Sequence, residues 1–113
     1  MDKKLAEVSM QIILQAGDAR KSIQDALDAI KIENLELAKS YIKQAHEFVR
    51  LAHGCQTEII QDEARGNKRE PSLLFNHAQD TIMTVMSELS LAEQLISIFE
   101  VIYKKINEMK KIN

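Results

Sequence analysis

The sequence predicts an all-α fold, an antiparallel up-down-up bundle of three long helices, and three observations predict it. With three glycines, one proline and three phenylalanines but no tryptophan in 113 residues, the chain is poor in the turn and aromatic residues that strands favour. Apolar residues recur at steps of three and four through three long segments, the spacing of one face of an α-helix. Only two short interruptions separate these segments, and short connections make neighbouring helices antiparallel. The whole chain, residues 1–113, reads as a single domain with helices over approximately 3–31, 34–66 and 71–109.

The first segment places Leu5, Val8, Ile12, Ala16, Ala19, Ile23, Ala26 and Ile30 on one stripe. It ends near IKIEN, where Asn34 can cap a new helix and Glu36 puts negative charge in its first turn. The second segment continues with Leu35, Ala38, Ile42, Ala45, Val49, Ala52 and Ile59, and its expected stop is Gly66 in the polar run RGNKRE. Pro71 suits the first turn of the third helix, where its missing N–H costs little. That helix carries Ile82, Val85, Met86, Leu89, Ala92, Ile96, Phe99, Ile102, Tyr103 and Ile106 on its main apolar face. The charged tail KKINEMKKIN is expected to fray.

The third helix has a second line: Asp80, Thr84, Ser87, Leu91, Gln94 and Ile98, polar near the helix start and apolar beyond. A monomeric three-helix bundle needs one apolar stripe per helix, so this line points to burial against another chain, most simply around a symmetry axis.

Composition narrows the function. The formal net charge is -2 with basic residues dispersed, which gives no electrostatic footprint for nucleic acid. The N-terminus MDKKLAEVSM lacks the apolar core of a signal peptide, and no stretch is expected to approach the ~20 apolar residues of a membrane span. Cys55 is the only cysteine, so an internal disulfide is impossible and the cytoplasm is the default compartment. Phosphate-binding glycine loops, dinucleotide turns, HExxH pairs and zinc-spaced cysteines are all missing.

Three histidines remain. His46 and His53 lie seven apart, too far for an i,i+4 metal grip, and read as surface or core-flanking residues. Cys55 reads as a small hydrophobe, and Met83 and Met86 as core fillers. His77 and Asp80 differ, because they stand on neighbouring faces of one polar turn, among Asn76, Gln79, Thr81 and Thr84. A polar helix start near solvent explains them; so does chemistry, since a neutral imidazole is a competent nucleophile that needs no cofactor. Copies of Asp80 meeting on a symmetry axis would take up protons or bind a cation, and hard oxygen donors suit a magnesium-like ion.

Three islands then carry a likeness: AGDAR at Ala16 to Arg20, AHGCQT at Ala52 to Thr57, and HAQDTIMT at His77 to Thr84, with EARG at Glu63 to Gly66 between them. With them the chain resembles the enzyme IIA component of the lactose/cellobiose family of the bacterial phosphoenolpyruvate-dependent sugar phosphotransferase system. The resemblance implies a homotrimer built around the third helices and a cytoplasmic phosphoryl carrier. It implies that His77 accepts a phosphoryl group from the histidine phosphocarrier protein HPr and passes it to a cysteine of the cognate IIB component. Gln79 is implied in a supporting role, and Asp80 in holding a divalent cation, Mg2+, at the trimer axis. Membrane insertion is left to the IIC component, which recognises the sugar, of lactose, cellobiose or chitobiose type. Some family members have a histidine directly after the aspartate where this chain has Thr81, so any help from that histidine does not carry over. Phosphoryl transfer asks mainly for positioning and charge stabilisation, which a shallow site meets, and Leu73, Leu74 and Phe75 are the expected apolar docking residues. The rival reading is a non-enzymatic helical oligomerisation or adaptor module.

Overall fold

The computed structural model describes residues 2–112. They form three helices, α1 (Lys3–Lys31), α2 (Leu35–Ala64) and α3 (Leu73–Ile112), and no strand. Cross-helix contacts give the directions. Arg20 meets Glu88 and Ile30 meets Tyr103, so α1 and α3 run parallel. Ser22 meets Gln44, and Lys39, His46 and Gln56 meet Glu100, Glu93 and Gln79, so α2 is antiparallel to both.

The ends of α1 and α2 are closed by their own sequence. Asp2 Oδ1 caps α1 by accepting from the Leu5 amide at 3.0 Å, and Asn34 does the same for the Leu37 amide at 3.1 Å. Both inner C-termini close with a paired-amide turn. In α1, Glu33 N donates to Ile30 O and Asn34 N to Ala29 O; in α2, Gly66 N donates to Glu63 O and Asn67 N to Asp62 O. Such a turn needs one left-handed residue: Gly66 supplies it freely with φ 99°, whereas Glu33 adopts φ 59° against the steric preference of its Cβ.

Two boundary expectations change. Pro71 stands before α3 rather than in its first turn. The cap is Ser72, whose Oγ accepts from the Phe75 amide at 3.1 Å. The charged tail, expected to fray at its end, is helical as far as Ile112, and Asn113 lies outside the described residues.

The core is a seam of small and branched residues. Ala16, Ala19, Ala26, Ala38, Ala45, Ala52 and Ala78 are buried, which lets the helices approach closely. Ile12, Ile59, Ile82 and Val85 fill the centre. The inner stripe of α3 is covered only as far as Ile96. Phe99, Ile102 and Ile106 stand exposed, because α3 has 40 residues against 29 and 30 in its neighbours, a difference of about 15 Å at ~1.5 Å per residue. Tyr103, donating to Ile30 O at 3.0 Å, marks where the α1–α2 turn ends its cover. Met83 is not a core filler: it is 58% exposed, while Met86 is half-buried against the core.

The second line of α3 is open along its whole length, with Asp80, Thr84, Ser87, Leu91, Gln94 and Ile98 all exposed. Two apolar stripes on one helix also raise its overall hydropathy. Among the described residues α3 alone is long and apolar enough to cross a membrane by length and composition, and only 28% of its most apolar window is buried. The expectation that no stretch approaches a span is therefore too strict.

Candidate functional site

The HAQD turn sits in the second turn of α3. Ser72 fixes where the helix begins, and that start sets the direction of every later side chain. His77 is exposed and lines an open depression of about 510 Å³ between the first turns of α1 and α3, together with Asp2, Leu5, Glu70, Leu73 and Leu74. Leu73 is 87% exposed and Leu74 half-buried, but Phe75 is buried. Phe75 thus belongs to the core rather than to a docking face. It lies two residues from His77, on the opposite side of the helix.

The floor of this end is held by Arg69. Its guanidinium donates to Asp2 Oδ2 through Nη1 and to Asp62 Oδ2 through Nη2, the latter at 2.8 Å, and so ties the α2–α3 connection to the starts of α1 and the end of α2. Both carboxyls are held below their ordinary range. For Asp2 the Leu5 amide is the larger cause and Arg69 the second; for Asp62 the Asn67 side chain leads and Arg69 follows. In the sequence RGNKRE is a polar run at a helix stop, and a single arginine in a connection carries no signal of its partners until the helices are assembled.

Asp2 and Glu70 have an electrostatic consequence for His77. A phosphoryl dianion on the imidazole would share the depression with two carboxylates, while the nearby Arg69 is committed to Asp2 and Asp62. Backbone N–H groups at this depth of the helix are already engaged. Arg69 is therefore not free to compensate a phosphoryl group there.

Gln79 and Asp80 take other directions. Gln79 is half-buried on the α2 side, where its Oε1 accepts from Gln56 Nε2 at 3.2 Å. Asp80 is exposed at the head of the open line of α3. The two threonines that follow are occupied locally: Thr81 Oγ1 donates to His77 O, and Thr84 Oγ1 to Asp80 O, both at 2.8 Å. Thr81 is therefore no stand-in for an imidazole.

Among the described residues no three His, Cys, Asp or Glu side chains cluster to hold a metal within one chain. Asp80 brings one carboxylate, so it fits a divalent cation only if copies of the chain converge on it. His46 is exposed and bonded to Glu93 Oε1 at 2.8 Å, His53 is exposed, and Cys55 is half-buried against the core. The structure brings neither of these histidines to the HAQD turn.

Gln56 is the residue that sequence reasoning passed over. It stands inside the AHGCQT island at a core step of α2, between Ala52 and Ile59, and is buried at 7% exposure. A polar residue on an apolar stripe was the available signal.

Known proteins resemble the chain along almost its whole length. Residues 7–100 match the family described as "PTS system, Lactose/Cellobiose specific IIA subunit". The chain is 38% identical over 110 residues to the lichenan-specific phosphotransferase enzyme IIA component of Bacillus subtilis strain 168, covering 97% of this chain and 96% of that one. It is 35% identical over 98 residues to the N,N'-diacetylchitobiose-specific EIIA component of Escherichia coli K12, covering 87% and 84%. The crystal structure of the PTS cellobiose-specific enzyme IIA from Bacillus anthracis superposes with a TM-score of 0.86 at 35% identity, covering 93% of this chain and 96% of the other.

Proposed function

The chain belongs to the lactose/cellobiose-specific IIA family of the sugar phosphotransferase system, and from that premise we propose that it is a phosphoryl carrier acting through His77. The observation that carries this is an exposed imidazole beside an apolar rim, Leu73 and Leu74, on a helix whose start is rigidly capped. A nitrogen of the His77 ring attacks the phosphorus of phosphorylated HPr. The P–N bond to the donor histidine breaks as the new P–N bond forms. The cysteine thiolate of the cognate IIB component then attacks the same phosphorus and returns His77 to its free form. The carrier works in the cytoplasm, and the IIC component handles the sugar, a β-linked disaccharide of cellobiose, lactose or chitobiose type, with cellobiose-like β-glucosides preferred.

The open line of α3 supports a homotrimer, with Leu91 and Ile98 buried between copies. Asp80 from each of three copies would hold Mg2+ on the axis, where the ion's positive charge would offset three converging carboxylates. Asp80→Leu should abolish divalent-ion binding and leave the assembly intact, measured by metal titration and sedimentation; undiminished metal content in that variant would contradict the assignment.

Incubation with phosphoenolpyruvate, the general phosphotransferase enzyme and HPr should give an acid-labile adduct that moves on to a cysteine of the IIB component. His77→Ala should abolish it. A non-enzymatic adaptor, the second reading, would take up no phosphoryl group and would bind its partners equally well without the imidazole.

A further inference from the structure

Gln56 is one of three buried polar residues among the described ones. Ser9 satisfies itself on its own helix, donating to Leu5 O at 2.7 Å. Ser22 reaches Gln44 at the edge of the α1–α2 seam at 3.5 Å. Of these three, Gln56 alone carries a primary amide, at a step of the α2 stripe where apolar residues stand on both sides. Burial of an amide is costly unless it is paired. Its partner is Gln79 Oε1, at 3.2 Å across the α2–α3 seam, the thinnest contact between any two helices of the bundle.

Gln79 lies between His77 and Asp80, and α3 turns about 100° per residue. Fixing the direction of Gln79 therefore fixes both neighbours at once: His77 toward the depression beside α1, and Asp80 toward the open line. Apolar packing of Ala78 and Ile82 keeps the buried face of α3 against its neighbours. A hydrogen bond from a second helix adds a directional hold at the turn itself.

We propose that Gln56 is a positioning residue for phosphoryl transfer, acting through Gln79 to hold the rotation of the HAQD turn. It touches neither the phosphoryl group nor the partner protein. The inference rests on the carrier reading of His77, and the two fail differently: loss of labelling in the unsubstituted protein defeats the carrier, whereas the positioning role is read from rates in protein that does label.

The test uses Gln56→Met and Gln79→Met, near-isosteric changes that remove the hydrogen bond and keep the volume, with phosphorylated HPr as donor. Each should lower kcat for acceptance by roughly tenfold, the scale of a small misplacement of a reacting group, while KM for the donor stays within about twofold because the docking rim is untouched. The double variant should be no slower than either single one, since one bond is lost in all three. Full rate in Gln56→Met, losses that multiply in the double variant, or a rise in KM at constant kcat would overturn the proposal. The unsubstituted protein gives a check that needs no variant: the Gln56 side-chain amide protons should exchange slowly with solvent, and exchange as fast as that of an exposed glutamine would also overturn it.

Discussion

Two faces of the same helix behave in opposite ways. Along one, Ile82, Val85, Leu89, Ala92 and Ile96 are buried against α1 and α2; along the other, Leu91 is 63% and Ile98 53% exposed. Both faces carry branched aliphatic residues at helical spacing, so hydrophobicity alone does not separate them. What separates them is supply: two neighbouring helices can cover one stripe of a third. The difference teaches that the covered face belongs to the folding of one chain, while the open face is the one left for the assembly proposed above. The HAQD turn sits at the head of both, with Gln79 on the covered side and Asp80 on the open one.

The largest expected effect falls on the open face. Leu91→Asp combined with Ile98→Asp should bring the sedimenting mass down from that of three chains to that of one, with the helical content of each chain kept. An unchanged mass would mean that the open face is not the assembly surface. On the covered face, Ile82→Ala removes a fully buried side chain and should cost about 2–5 kcal/mol in denaturant unfolding. Leu91→Ala, measured on chains diluted until they sediment as monomers, should cost far less, within about 0.5 kcal/mol; equal costs would erase the contrast between the faces.

A smaller effect is expected from acid. Asp2 and Asp62 are both held below the ordinary value of 3.8, so the folded chain binds fewer protons than the unfolded one as pH falls past that value. The stabilisation they give is complete above 3.8 and is lost as pH drops through the lowered values. Arg69→Ala should make this acid limb of the stability curve shallower without removing it, because the Leu5 amide and the Asn67 side chain still hold the two carboxyls down, and should leave the curve near neutrality parallel to that of the parent. Thermal unfolding between about pH 2 and pH 7, in steps of about half a unit, reads both the acid limb and the region near neutrality.

Much of the bundle was legible because steps of three and four leave one periodic stripe per helix, and because Asn34 and Gly66 announce a start and a stop in residue types with local physical preferences. The misses came where a neighbour decides. Phe75 is apolar and close to His77 in sequence, but a helix sends residues two apart to opposite sides, and this one faces the core. Met83 has the composition of a core residue and points away from the bundle. Ser72 was a readable cap, overshadowed by Pro71. The tail is charged and terminal, yet Ile106, Met109 and Ile112 keep a helical spacing as far as the described residues run. Of the HAQD turn, the sequence marks His77 and Asp80 as unusual by type; the Gln56 contact, made across 23 residues of chain, exists only after the helices have packed.

The most direct test of the account is a count of phosphoryl groups transferred from phosphoenolpyruvate through HPr to each chain. It should give one acid-labile group per chain in the parent protein and one in the His46→Ala, His53→Ala double variant, and none in His77→Ala. Label that persists without His77, or disappears when only His46 and His53 are changed, would contradict it.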